Sequence, residues 1–148
     1  MANQIQLIGG FRREEALASG GITPGHLLEI TSATAPTVKV HATEGGYAER
    51  AFAVEDALQG QIVSHAYLTT ERVSYNIVEP GAVVNAMIQA GQTITIGERL
   101  ISGADGTLIA EDAKASSTTI KQIIAVAVEA LDLSDSDLSA TLCAVRVI

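Results

Sequence analysis

From Pro24 onward, short runs rich in Val, Ile and Thr alternate with breaks made of Gly, Pro, Asp or Asn, a rhythm that confines the chain to a mainly β fold. Residues 27–30 and 37–40 flank Ala35-Pro36, and Glu44-Gly45-Gly46 makes a further break. Residues 50–55 alternate, with Phe52 and Val54 on one face. Residues 71–78 form the clearest strand: Val73, Tyr75 and Ile77 fall on one side of the pleat, predicting a core face, and Arg72, Ser74 and Asn76 on the other. Pro80-Gly81 turns the chain into a run over 82–88, and Ala90-Gly91-Gln92 leads to 93–96. Gly97 breaks before 98–101, and Asp105-Gly106 is a turn signal ahead of 107–110. Residues 120–131 carry apolar side chains at 120, 123, 124, 127, 128 and 131, a spacing that also suits a helix. The β-branched Ile120, Ile123, Ile124, Val126 and Val128, with β neighbours all around, decide for a strand. Residues 141–148 close the chain as a final strand with Cys143, Val145 and Val147 on one face. Many short strands with frequent turns predict a small single-domain barrel or sandwich.

The first twenty residues read differently. Residues 3–8 alternate polar and apolar and predict a strand; residues 11–19 are a charged stretch in which Glu14-Glu15 followed by Ala-Leu-Ala permits a short helix. Nothing here has enough apolar residues to bury itself. The division expected is an extended N-terminal arm over 1–20, jointed at Gly20-Gly21, and a β domain over 21–148. The arm's candidate contact residues are Ile5, Leu7, Ile8, Phe11, Arg12 and Arg13.

A chain of 148 residues buries roughly two-thirds of its unfolded surface, so a core needs no disulfide or structural metal. That core must be built from Ala, Val, Ile and Leu, because there is no Trp and only five Phe and Tyr residues. The net charge of −8 argues against nucleic acid as a partner, since only Arg12-Arg13 place two cations together. It fits instead a protein kept soluble and apart from its copies. The longest strongly apolar run, 123–128, is far too short to span a bilayer. The N-terminus shows no basic-then-apolar secretory pattern, so synthesis and retention in a cytoplasm are expected.

Catalytic chemistry is sought with little return. His26, His41 and His65 lie on separate segments without ligand spacing and read as solvated or hydrogen-bonded side chains. Cys143, the only cysteine, sits on an alternating strand and reads as a buried, inert thiol. The acidic run Asp132-Leu-Ser-Asp-Ser-Asp137 lacks the glycine and terminal Glu of a calcium loop and reads as a turn, with Ser134 capping a short helical segment. Ser102-Gly-Ala-Asp-Gly106 has neither the lysine nor the helix of a phosphate loop and reads as a hairpin turn. No enzyme, no metal and no cofactor is expected. A lipoyl- or biotinyl-type carrier shares the strand-and-glycine rhythm of 81–109, yet the turns there hold no lysine.

Four segments carry a resemblance. These are Ile22-Thr-Pro-Gly-His-Leu-Leu-Glu29, Ala51-Phe-Ala-Val-Glu-Asp-Ala-Leu-Gln-Gly60, the stretch from Pro80-Gly81 through Gly91-Gln92 and Gly97 to Leu108, and Ile124 to Ser134. In order and spacing they resemble the small capsid decoration (cement) proteins of tailed bacteriophages. The resemblance implies a β-tulip-like fold and a homotrimer on the outer capsid surface at local three-fold positions. It also implies that the protein clamps neighbouring subunits of the major capsid protein. On that reading the arm residues Ile5, Leu7, Ile8, Phe11, Arg12 and Arg13 would meet the capsid or a neighbouring protomer, by adding a strand to an exposed sheet edge. Glu55-Asp56 would sit where a strand turns away, holding backbone amides. Another virion structural protein, such as a fibre base or head-completion protein, is the alternative.

Overall fold

The computed structural model describes residues 4–32, 34–111 and 120–148. Two curved sheets share one apolar seam. The first is a ring of five strands: β7 (Val83–Ile88), β10 (Leu108–Ala110), β9 (Arg99–Ser102), β11 (Ala125–Ala127) and β13 (Thr141–Val147). The ring closes because β13 pairs antiparallel with β7 over six residues, from Thr141 opposite Ile88 to Arg146 opposite Val83. β1 (Gln6–Ile8) adds to the other side of β7, and a short ribbon of β8 (Thr93–Ile94) and β12 (Leu131–Asp132) lies outside the ring. Alternation fills the interior. Val84, Ala86 and Ile88 of β7 meet Leu100, Leu108, Ala125, Ala127, Cys143, Val145 and Val147, all essentially inaccessible to solvent. Burying each of the larger aliphatic side chains stabilises the ring by about 1.5–3 kcal/mol.

The second sheet runs β3 (Leu28–Ser32), β4 (Thr37–Val40), β2 (Phe11–Ala18), β6 (Arg72–Val78), β5 (Ala51–Ala53). It curls until β5 reaches the segment ahead of β3, where Leu27 bridges Phe52 and the Ala53 amide donates to the His26 carbonyl. Its concave side holds Ala16, Ala18, Leu28, Val38, Ala51, Ala53, Val73 and Tyr75, closed over by Ile22 and Tyr67. From its convex side Phe52, Val54 and Val78 enter the core of the ring, as does Leu27 from the segment leading to β3. Two cores thus back onto one wall, and the chain is one domain.

Gly25 stitches the two sheets. Its amide donates to the Ala53 carbonyl and its own carbonyl accepts from the Met87 amide, at φ +94°. The 102–107 hairpin turn enters the same junction, for Leu27 donates to the Gly106 carbonyl and the Gly106 amide donates to His41.

The mainly β reading holds, with the turn at Asp105-Gly106 and the strand over 125–127 in place of a helix. Three expectations are corrected. Residues 11–18 form neither a helix nor a free arm but the middle strand of the curled sheet, paired with β6 from Phe11 opposite Val78 to Leu17 opposite Arg72. The reason is the narrow concave side, which needs small residues: Ala16 and Ala18 point into it, and Glu14 is tolerated there because the Tyr75 hydroxyl donates to it at 2.9 Å. Asn76 does not face solvent. It is fully buried, because the convex side of β6 lies under β1; it accepts from Arg13 Nε at 3.4 Å and donates to Gln6 Oε1 at 3.3 Å. Asn76→Ala, which strands those groups, is expected to cost about 1–3 kcal/mol in urea unfolding rather than nothing. Finally, the acidic run is no capped helical segment: Asp132 ends β12 and accepts from the Ser134 amide, and residues 135–137 form a turn in which Asp135 accepts from the Asp137 amide.

Candidate interaction surface

The six arm residues divide. Ile5 lies fully buried in the ring's core, its amide donating to Glu55 Oε2 at 3.1 Å and its carbonyl accepting from Asn85, so its side chain meets no partner. Leu7, Ile8 and Phe11 are exposed, where β1 passes through Gly9-Gly10 into β2, with Ile8 opposite Val83 and Phe11 opposite Val78. Arg12 pairs with Glu14 on the surface, and Arg13 reaches Asn76. Five of the six remain at the surface, on a backbone fixed in sheets rather than on a detached arm.

A second surface comes from residues 54–71, the longest described segment without a strand. Its backbone is held at each step. Asp56 Oδ1 accepts from the Gln59 amide at the start of a single 3-10 turn (Ala57–Gln59), and Gly60 closes that turn with φ +73°. Gln61 donates to the Asp56 carbonyl and His65 to the Ile62 carbonyl. Tyr67 then anchors the far end, bridging Ile22 and donating its hydroxyl to the Val54 carbonyl at 2.6 Å. Glu55 and Asp56 do hold backbone amides where β5 ends, as the resemblance implied. Out of this fixed backbone project Leu58, 95% exposed, Ile62, 64%, and Leu68, 66%.

Two hollows adjoin the excursion. One, of about 910 Å³, is an open groove with Ile62, Val63 and Ser64 along a side and Met87 and Leu142 of the ring among its lining; Glu129 also lines it, its carboxylate accepting from the Ala144 amide at 2.7 Å. The other, of about 260 Å³, is polar, lined by residues that include Glu15, Asp56, His65, Glu71 and Arg72. Sequence reasoning passed over this excursion because its apolar residues show neither strand nor helix spacing. The available signal was a large Leu and Ile in a segment bounded by Glu55-Asp56 and Glu71-Arg72 but itself without charge.

Reactive groups are used structurally. Burial pushes the Cys143 thiol up to about 12, with Glu129 adding to the shift, so the thiolate is scarce at neutral pH. His41, buried, lies 2.7 Å from Ser102 Oγ and 3.0 Å from the Tyr47 carbonyl; the carbonyl only accepts, so Nε2 donates to it, and Nδ1 shares a hydrogen bond with the Ser102 hydroxyl. Asp132 accepts from the Ser134 amide and from Thr93, which holds its carboxyl below the usual range. Among the described residues no group of His, Cys, Asp and Glu is placed to hold a metal ion, and no helix is long and apolar enough to cross a membrane.

His26 gives the fold a pH dependence. Its Nδ1 accepts from the Thr23 amide at 3.2 Å, so the ring must be neutral there. Burial pushes its pKa below 6.5, against a smaller opposing pull from Asp105. A depressed folded-state pKa means that the unfolded chain takes up the proton first. Stability is therefore full above about pH 6.5 and falls as pH drops through that value toward the folded pKa. Thermal unfolding is expected at a lower temperature at pH 5.5 than at pH 7.5, and His26→Gln should remove most of that difference.

These features define the class: a mainly β single domain of two back-to-back curved sheets. No family model matches the sequence, and no curated protein matches it. Among solved structures, the fold is similar end to end to the crystal structure of the head fibre gp8.5 N base of bacteriophage phi29, at a TM-score of 0.61 and 15% identity, covering 94% of this chain and 95% of that one.

Proposed function

We propose that this chain is a structural protein of a bacteriophage virion, acting as a base that seats on the head and carries or joins other protein. The observation that carries the reading is the match over nearly the whole of both chains to a head fibre base. The internal chemistry agrees with it: the thiol, His26, His41 and Asp132 are engaged in holding the fold. On this reading the partners are the major capsid protein and further copies of the chain, and the place is the outer surface of the head. Turnover of a substrate has no part in it.

Decoration is the second reading, favoured by the four sequence segments that resemble cement proteins. Particles made with and without the chain separate the two. Purified particles should contain it, and antibody should label it on the head exterior; its absence from purified particles overturns both readings. Loss of an appendage from heads that keep their heat resistance marks a base, whereas heads that lose DNA at lower temperature mark a cement.

A further inference from the structure

Ser74 lies in the middle of β6, directly across from Glu15 of β2, and is only 7% exposed. Among the described residues no side-chain oxygen is sealed in without a partner, yet the Ser74 hydroxyl bonds to nothing; its Oγ therefore opens on the polar hollow of about 260 Å³ that it lines. A hydroxyl kept from bulk water and left free in this way costs stability until a ligand takes it up. Around it stand three carboxylates, Glu15, Asp56 and Glu71, against one guanidinium, Arg72, which meets Glu15 only at 3.6 Å. Counting histidine as neutral, two negative charges are left uncompensated. Asp56 and Glu71 each spend one oxygen on an amide of the excursion, that of Gln59 and that of Leu68. Those bonds fix the carboxylates in place and leave each a second oxygen to offer.

We propose that the hollow between β2, β6 and the 54–71 excursion binds the guanidinium group of an arginine side chain presented by a partner protein. The charge of the lining selects a cation over an anion, and among the described residues no group of His, Cys, Asp and Glu is placed to hold a metal ion. The acceptors stand on several sides: the Ser74 hydroxyl at the floor, half-buried Asp56 beside it, and Glu15 and Glu71 at the exposed rim. A planar group with five N–H donors in a fixed fork matches such a spread better than a compact ammonium does. The net charge of −8 draws a basic partner surface toward the same site. The inference goes beyond the virion role and is measured on the purified chain without particles, so its failure leaves the particle experiment to decide that role separately.

The test is a titration of the full chain with Nα-acetyl-arginine amide in about 0.15 M salt, followed by the backbone amide NMR signals. The neutral isostere Nα-acetyl-citrulline amide is the control ligand. The arginine probe is expected to shift the signals of Ser74, Gln59 and Gln61 with a Kd on the order of a few millimolar, and the citrulline probe to leave them in place. Asp56→Asn and Ser74→Ala should each weaken the binding about tenfold, as loss of a hydrogen bond to a charged group does. Glu44→Gln removes the same charge from an exposed loop outside the hollow and should change it less than about twofold. Because the Ser74 hydroxyl has no partner in the fold, Ser74→Ala should also leave the urea midpoint where it is, a result that a merely structural serine would not give. No shift at about 50 mM arginine probe overturns the proposal, as do equal shifts with citrulline. Binding that survives both substitutions, or falls equally with Glu44→Gln, overturns it too. If Asp56→Asn fails to fold, Ser74→Ala decides.

Discussion

Gly25→Ala is expected to lower the unfolding temperature by about 10 °C, the sum of two effects at one position. The φ of +94° is a conformation that side chains rarely adopt, costing about 1–3 kcal/mol. The new Cβ would also press on the Leu142 side chain and lie 3.2 Å from the Asn85 carbonyl oxygen and 3.3 Å from the Met87 nitrogen. Leu142 can move aside, but the two backbone atoms belong to β7, which is paired on both edges. Crowding there adds about 1–3 kcal/mol. Relief by shifting residue 25 would loosen its bonds to Ala53 and Met87, the stitches between the sheets. Gly20→Ala is the control: nothing lies within 4 Å of its would-be Cβ and its φ is not positive, so its unfolding temperature should stay level or rise slightly. Equal losses in the two variants would show that residue 25 is no special joint.

Phe52→Ala is expected to cost about 3–5 kcal/mol in denaturant unfolding, because nothing nearby can fill the space. Phe52 is fully buried and reaches from the curled sheet into the ring's core, while its neighbours Ala51 and Ala53 point to the other side. It is the one aromatic residue in that core, where Ala and Val supply most of the ring positions. Small residues on paired strands have no long side chain to swing into a void, so the cavity should persist. Leu58→Ala, a large truncation at an exposed position, should stay within about 0.5 kcal/mol. If the two variants unfold at the same denaturant concentration, the seam between the sheets carries less of the stability than its burial indicates.

Strand identity was legible wherever large β-branched residues alternate. Val84, Ala86 and Ile88, and Cys143, Val145 and Val147, face the core in the register their spacing predicts. The same rule misled at β6, where Val73 and Tyr75 do face inward but Asn76 is buried as well. Alternation marks one covered face; it carries no information about a second, and a polar residue with two partners is silent in a hydrophobic pattern. β2 was hidden for a related reason. Its inward residues are Glu14, Ala16 and Ala18, chosen for a narrow space rather than for hydrophobicity, and its outward ones are Arg13, Glu15 and Leu17. The arm contacts were drawn from the same misreading, which is why Ile5 proves to be core. The excursion's apolar residues follow no period because they belong to an irregular backbone held by side-chain caps, and only its lack of charge set it apart.

The strand order has a consequence for how the chain can assemble as it is made. The curled sheet uses residues 11–78 and the ring residues 83–147, so each is a continuous stretch; β1 alone crosses over, emerging before the first and pairing within the second. During vectorial synthesis the curled sheet can therefore form while the ring is still unmade, with Phe52, Val54 and Val78 exposed on its convex side. β1 finds its partner only when β7 emerges, and the ring locks only when β13, the final strand, joins β7. Such late, long-range closure is slow and leaves an adhesive intermediate waiting. Folding yield should then depend on how long the ring's half of the chain takes to arrive, and slowing translation after residue 80 should increase aggregation more than slowing it before residue 10.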